Sequence, residues 1–392
     1  MLINDKRALA YTVKCGKIEK IEGADNIELM SVLGWKVIVK IGEFHEGDMC
    51  VYFEIDSKLP EKEWSAFMAP KHYKVKTMKL GKFGVISQGL ALPVSVFDVD
   101  IPNEEGVDAT ELLGVTYSVD EDNARKGNGD PDAKYKSMAA RNKKIFKKKW
   151  ARWMMRRTWG KKLMFMFFGK KKDKPLAFPT HFPFVHKTDE ERCENLINVV
   201  LGYERPLIVT EKLDGTSSTY ILERLGKNKF EFYVLSRNVR QKTPDQKCYH
   251  DKNIYWDMAF KYRIEECLKD YLVANPELKY VCIQGESVGS VQGNPLKFKD
   301  DDFYAFNFIR SDVGRMSSVD GEKIVNEMGI KWVPILDTNY MMPNDMEEFK
   351  QFATAKSVVN PDVMREGIVL RDPTNDFSFK NVSREYLLKH NG

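Results

Sequence analysis

The sequence predicts an α+β protein that starts with a small β-barrel and continues into a region of mixed strands and helices. Three observations carry this. The first hundred residues are short alternating runs punctuated by glycines, the pattern of a small closed sheet. From Phe178 onward, strand-length apolar runs alternate with helical periodicity but without a strict βαβ rhythm, which favours α+β over a parallel α/β sheet. Between the two lies a segment of different composition, loop-like at its start and then strongly basic.

In the N-terminal region, YTVKCGKIEKIEG alternates, GWKVIVKIGEF follows between Gly34 and Gly42, and CVYFEIDSKLP ends at a proline. GADNIE reads as a connecting turn, and YKVKTMKLGKFGVISQGLALP continues the strand pattern to Pro93. Residues 1–120 are expected to form this barrel, 121–175 a linker or arm, and 176–392 the mixed domain.

In the arm, EDNARKGNGDPDAK reads as loop and KSMAARNKKIFKKKWARWMMRRTWGKK as a helix without proline. Phe146, Trp150 and Trp153, spaced four and three apart, would then share one face. Between Arg125 and Lys174 there are 19 Lys or Arg against 3 Asp, a net +16 in a chain whose total is +5. Such a concentration suits a solvated linker, an arm neutralising phosphates while aromatics stack on bases, or a helix lying on a membrane surface.

In the mixed domain, DEERCENLINVVLGY, IYWDMAFKYRIEECLKDYLVA, GEKIVNEMG and DMEEFKQFATA have helical patterns. RPLIVTEK, KFEFYVLSRN, KYVCIQGES, DDFYAFNFI, REGIVLRD and DFSFKNV read as strands.

Composition narrows the class. The chain is 43% hydrophobic, enough for real cores. No run approaches the roughly 18 apolar residues of a membrane helix, and MLINDKRALAYTV lacks the signature of a secretory signal. Cys15, Cys50, Cys193, Cys248, Cys267 and Cys282 form no CxxC pair, so buried thiols in a reducing intracellular compartment are expected. No membrane partner is expected.

One short stretch carries chemistry. EKLDGTSSTY places Lys212 at the end of an apolar run, with Asp214-Gly215 behind it. A lysine in a closed site loses its proton more readily and becomes a nucleophile. Gly215 would let the backbone turn and approach a ligand. Alone, K-x-D-G also describes a surface lysine before a turn. Its companions are Ser236-Arg237-Asn238, Glu286 in GES, Phe306 in YAFNF, Glu366 in EGIVLR and Lys380 in SFK, each at or near a strand end.

Their order and spacing resemble the nucleotidyltransferase motifs of polynucleotide ligases and mRNA capping enzymes. The N-terminal runs are similar to the OB-type domain that precedes the core in one clade of ATP-dependent RNA ligases. FPFVHKTDEERCENL resembles that clade's segment ahead of the lysine motif, with Arg192 as its nucleotide-holding arginine. The resemblance implies an OB-like barrel followed by an ATP-grasp-like nucleotidyltransferase domain. It implies ATP as substrate, AMP carried covalently on Lys212, and Mg2+ or Mn2+ held by Glu366. It also implies RNA with 3′-hydroxyl and 5′-phosphate ends, expected at duplex nicks, as partner, and a monomer.

Role by role, the resemblance makes Lys212 the nucleophile and sets Lys380 against the α-phosphate. Glu286 would contact the nucleotide sugar, Phe306 would stack on adenine, and Arg237 would reach nucleotide or RNA phosphate. Arg237 in a surface salt bridge and Phe306 as an ordinary core residue are the plain readings. Trp35, Lys40 and Phe44 in the barrel are candidates to meet RNA, Trp35 being at least as suited to a core. Two positions depart from the family pattern: Ser378 stands where a second lysine is frequent, and Asn307 where Asp is frequent. The chain ends soon after the last motif, where DNA ligases and capping enzymes usually continue into another domain. A GTP-dependent capping-type guanylyltransferase and an RNA-binding protein with a decayed catalytic core are the alternatives.

Overall fold

Among the short strands of the first hundred positions seven frame the barrel, two of them burying alternate residues and two buried along nearly their whole length. They are β1 (Ala10–Lys14), β2 (Ile18–Lys20), β3 (Ile27–Val32), β4 (Trp35–Lys40), β5 (Met49–Phe53), β6 (Val85–Ser87) and β7 (Leu90–Pro93). In this computed structural model six of them form two antiparallel three-stranded sheets, β7-β5-β1 and β2-β3-β4, while β6 pairs with Met78–Leu80. The Gln88 amide donates to Lys36 O at 2.7 Å and the Ile38 amide to Ser87 Oγ at 3.0 Å, fastening β4 to the end of β6. The turn expected at GADNIE runs directly into β3. Its alternation, with Leu29, Ser31 and Ile27 less buried than Glu28, Met30 and Val32, makes it a strand.

The structure describes residues 1–3, 6–118, 135, 138–139, 142–168, 176–244, 253–374 and 377–390. The expected loop EDNARKGNGDPDAK and Cys248 lie outside them. The chain divides into two units, one of Met1–Thr116 with Leu176–Gly392 and one of Tyr117–Pro175.

Within the first unit the C-terminal region is built on two sheets. A five-stranded sheet runs in the order Glu191–Arg192, β15 (Ser378–Val382), β14 (Gly367–Arg371), β8 (Leu207–Lys212) and β13 (Ile335–Tyr340). The larger sheet is centred on β10 (Lys229–Ser236), β9 (Thr216–Gly226), β11 (Tyr280–Val288) and β12 (Asp302–Arg310), all antiparallel neighbours. Only Leu213-Asp214-Gly215 separates β8 in one sheet from β9 in the other.

The barrel shares its core with the five-stranded sheet. Trp35, Val37 and Tyr52 belong to the same buried cluster as Cys193, Leu207, Phe349 and Phe379. Arg384 clamps the junction, donating to Gly34 O at 2.8 Å and to both carboxylate oxygens of Glu347. Nearby, Lys350 and Glu194 form a fully buried 2.6 Å ion pair, with Val382 O as a further acceptor for the ammonium.

Three expectations of local structure need correction. IYWDMAFKYRIEECLKDYLVA is two helices, Ile254–Lys261 and Ile264–Ala274, because Arg263 adopts a left-handed φ of 49° between them. DEERCENLINVVLGY is a two-residue strand, a 3₁₀ turn and one short helix at Ile197–Val200, since Glu191 and Arg192 pair in parallel with Phe379 and Lys380. The basic stretch is not one helix. In the second unit it forms the helices Lys143–Phe146, Lys149–Met155 and Thr158–Phe168. Phe146 is buried while Trp150 and Trp153 are exposed, so the three do not share a face.

Candidate active site

Lys212 is the last residue of β8, and its backbone partner on β14 is Gly367. That register puts Glu366, the residue before β14, beside the lysine, and Nζ lies 2.7 Å from Glu366 Oε2. On the far side of β14, Val369 pairs with Lys380 of β15, and Lys380 in turn pairs with Arg192. One sheet therefore supplies the amine, a carboxylate and two further cations.

The other sheet supplies the opposite wall. Glu286 of β11 faces Ser217 of β9 in register. In β12 the pairing with β11 slips, Gln284 facing Asn307 and Gly285 facing Ala305, so Phe306 is the extra residue of a bulge. Bulges re-aim side chains next to active sites, and Phe306 lines the cavity. Arg371 holds its guanidinium 5.8 Å from the Phe306 ring centre.

Asp214 and Gly215 carry the chain between the sheets. A β-carbon at Gly215 would come 2.3 Å from the Ser287 carbonyl. The close passage of β11 thus requires a glycine, and Gly215 also lines the cavity. Asp214 accepts a 2.7 Å hydrogen bond from the hydroxyl of Tyr386, which is buried in the helix Arg384–His390.

The result is a cavity of about 330 Å³ lined by Lys212, Glu366, Lys380, Arg192, Arg237, Glu286 and Phe306, together with Asp189, Glu190, Glu211, Asp214 and Arg371. Seven sequence-selected residues, drawn from positions 192 to 380, thus meet at one site. Arg237 reaches it while also ion-pairing with Asp189.

Three sequence-selected residues of the barrel lie outside the cavity. Trp35 is completely buried in the core beneath β4 and Phe44 is nearly so, so neither ring is offered to RNA. Lys40, at the end of β4, is exposed. Glu211, Glu190, Arg371 and Tyr386 line or brace the cavity without a motif of their own in the sequence. Glu211 has a signal in its adjacency to Lys212; the others need the fold.

Electrostatics set the resting state. Burial alone would push the Lys212 amine down, but the carboxylates of Glu366, Glu286 and Asp214 outweigh it, and its pKa lies above the ordinary lysine value. This reverses the expectation of a pre-lowered nucleophile: the resting lysine is an ammonium. Burial pushes Glu286 up to about 8, against the pull of Lys212 and with the help of Glu366 and Asp214. Glu366 is raised for the same first cause, burial. Lys380 goes the other way, to about 8, through burial and the neighbouring charges of Lys212 and Arg192.

Several buried atoms are left without partners, and this is unusual in a folded interior. At one part of the lining Arg192 Nη1 has no acceptor; at another Glu211 Oε1 has no donor, its Oε2 being taken by the Val358 amide at 2.8 Å. A cavity with an unmatched cationic donor, an unmatched carboxylate and an aromatic face suits a nucleotide. Among the described residues no group of three or more His, Cys, Asp or Glu is arranged as a metal site. The raised carboxyls of Glu286 and Glu366 are hard oxygen donors short of positive charge, which fits a divalent cation that takes its remaining ligands from water or substrate.

Ser378, at the position where a lysine is frequent, is not idle. Its hydroxyl donates to Glu190, which also holds Arg371 at 3.0 Å.

An OB-fold domain profile matches residues 9–94, and the RNA ligase profile matches residues 205–385, the span that contains Lys212, Glu286, Phe306, Glu366 and Lys380. Residues 205–385 are an RNA ligase domain. This ligase resembles a solved RNA ligase of Naegleria gruberi with pyrophosphate at 29% identity and a TM-score of 0.63, over 98% of this chain and 99% of that one. A glutamate-to-alanine variant of the Naegleria enzyme with ATP and manganese matches at 28% identity and TM-score 0.64, over 98% and 100% of the two chains. A lysine-to-methionine variant with AMP and manganese matches at 28% and 0.64, over 97% and 98%. No curated protein matches the ligase sequence. Among its described residues no helix is long and apolar enough to cross a membrane.

Proposed function

We propose that this ligase joins RNA 3′-hydroxyl and 5′-phosphate ends at duplex nicks, using ATP and a divalent cation through a lysyl-AMP and an adenylylated RNA 5′-phosphate. The 2.7 Å pairing of Lys212 with Glu366, in a cavity that also holds Lys380 and Arg192, carries this reading. ATP and manganese in the Naegleria enzyme's structures support the choice of substrate and ion.

The ammonium of Lys212 first gives up a proton, for which Glu366 Oε2 is the adjacent acceptor. The free amine attacks the α-phosphorus of ATP; an N–P bond forms, the bond to the β-phosphate oxygen breaks, and pyrophosphate leaves with the electron pair. The RNA 5′-phosphate oxygen then attacks the same phosphorus, and the N–P bond breaks as the lysine regains its proton. Finally the 3′-oxygen attacks the activated 5′-phosphate, losing its proton, and AMP departs. Lys380 and the unpaired Nη1 of Arg192 offset charge on the phosphoryl oxygens. Arg192 thereby supplies a cation where Ser378 cannot. Glu366, with Glu286, would hold the divalent cation, which supplies further positive charge to the phosphates when bound.

Phe306 offers its ring to the base. The donor-free Oε1 of Glu211 accepts from the 6-amino group of adenine. Guanine presents a carbonyl there, and two acceptors repel, so Glu211 speaks against a capping-type use of GTP. Residues 176–392 are read as the adenylation domain, 1–120 as an RNA-binding barrel with Lys40 on its surface, and 121–175 as a basic arm.

The test is covalent labelling with α-phosphate-labelled ATP or GTP and magnesium, beside Lys212→Ala, followed by sealing of a nicked RNA duplex. Label from ATP alone, lost in the variant, together with sealing, is expected. Label from GTP would turn the reading to capping chemistry, and no label from either to a decayed site.

A further inference from the structure

The helices at 143–168 do not fit a plain spacer. This stretch holds ten Lys or Arg and no Asp or Glu, so its charge has no neutralising partner within itself. It has its own small core, with Met138, Phe146, Ala151 and Met164 buried. That core leaves three tryptophans out. Trp150, Trp153 and Trp159 are 50, 49 and 54% exposed, a costly arrangement for large apolar rings unless something covers them.

Their arrangement narrows the partner. Arg157 places its guanidinium 3.9 Å over the Trp153 ring, and Trp153 meets Trp159 edge-on at 6.1 Å. Gly160 makes this possible: a β-carbon there would come 2.1 Å from the Met154 carbonyl, so only glycine lets the two helices approach so closely. Cation and aromatic therefore share one face. A helix that lies on a membrane separates them, with cations on one side and aromatics on the other. Single-stranded nucleic acid needs them together, because phosphates alternate with exposed base faces along one strand. A duplex hides its base faces and would use the cations only.

We infer that residues 143–168 form a second RNA-binding surface, which grips single-stranded RNA through Trp153, Trp159 and the surrounding cations. This rests on the RNA reading of the active site and adds to it. The substrate would carry an unpaired strand as well as the nick, and the arm would hold that strand. Both family profiles leave the stretch out, one ending at residue 94 and the other starting at 205.

The experiment uses the full chain and a fluorescent oligouridylate with 5′-hydroxyl and blocked 3′ end, which cannot be sealed. Binding is read by anisotropy across a salt series, beside a fully paired RNA duplex, for wild type, Trp153→Ala/Trp159→Ala, Trp153→Phe/Trp159→Phe and Arg152→Gln/Arg156→Gln. The alanine pair should weaken oligouridylate binding by at least about tenfold, as loss of stacked bases does, and leave duplex binding and lysyl-AMP formation unchanged. The phenylalanine pair keeps aromatic faces and should keep most of the affinity, which guards against misfolding as the cause. The arginine pair should flatten the dependence of log K on log salt by about 0.7 for each single-strand phosphate that the arginines no longer neutralise.

Equal binding by wild type and alanine pair, or an equally large fall in affinity with the phenylalanine pair, would overturn the inference. So would tryptophan-dependent pelleting with phosphatidylcholine–phosphatidylserine vesicles in place of tryptophan-dependent RNA binding, which would assign the surface to a membrane. Lysyl-AMP formation by wild type, measured alongside, separates these failures from failure of the ligase reading.

Discussion

The hydroxyl of Tyr386 donates to Asp214 Oδ2 at 2.7 Å and ties the helix after the last strand to the loop behind Lys212. The same helix packs Leu387 with Ile86 of the barrel. The bond therefore links the barrel, the helix and the chain segment that crosses between the two sheets. A hydrogen bond to a charged group contributes about 1.5–3 kcal/mol. Tyr386→Phe should slow lysyl-AMP formation about tenfold if that contribution is expressed in the transition state. Single-turnover labelling across ATP concentrations checks it: a lower maximal rate at unchanged half-saturation is expected, with little change in far-UV spectrum.

Lys380 should shape the alkaline limb of the reaction. Its pKa is held down to about 8 by burial and by Lys212 and Arg192. Its positive charge is present below that pH and is lost as pH rises through it. The rate of adenylation should therefore decline on the alkaline side for want of this cation. Lys380→Arg, charged at every accessible pH, should move the decline upward even where its longer fork lowers the peak rate. A pH profile of labelling on the two proteins compares them.

Glu286 should make the unliganded protein less stable as pH rises. Burial raises its carboxyl from 4.5 to about 8. Between those values the folded chain binds more protons than the unfolded chain, so stability from this group is present in acid and falls as pH increases. Glu286→Gln, which cannot ionise, should raise Tm above wild type at pH near 8 and much less in acid, while impairing adenylation. Thermal melts without nucleotide at several pH values measure this.

Glu211 should decide between purines. Its Oε1 is buried without a donor, and leaving a polar partner unpaired costs about 1–3 kcal/mol. Glu211→Gln presents a side-chain amide whose N–H can meet the guanine carbonyl. Discrimination of ATP over GTP should fall by about tenfold or more. Competition between the two labelled nucleotides for Lys212 reads the ratio directly.

Much of the site can be read before folding. Lys212, Glu286 and Glu366 sit at or near strand ends and Lys380 in the middle of a short strand, and their order along the chain is enough to expect shared chemistry. Strand periodicity also locates six strands of the two C-terminal sheets, because burial leaves a trace in residue order, but not β9, β13 or the two-residue strands at their edges. The trace fails where tertiary pairing overrides local preference. Glu191 and Arg192 have helical neighbours but extend because β15 offers backbone partners. The long helical run breaks at Arg263 although its periodicity continues. Trp35 as a residue type suits a core more often than a ligand contact, and its complete burial decides for the core.

Residue identity and spacing were sufficient for the fold class and the ligase domain, and they single out Lys212 as the proposed nucleophile, since these depend on side-chain chemistry and on local periodicity. They were not sufficient for the protonation state of that nucleophile. Lys212 is flanked in sequence by Glu211 and Leu213, yet its charge answers first to burial and then to Glu366 and Glu286, 154 and 74 positions away. Coulomb energy depends on distance through space and on exclusion of water. Strand register and the packing of two sheets set both, so the resting ammonium, the weakened Lys380 and the Tyr386 brace exist only in the folded chain.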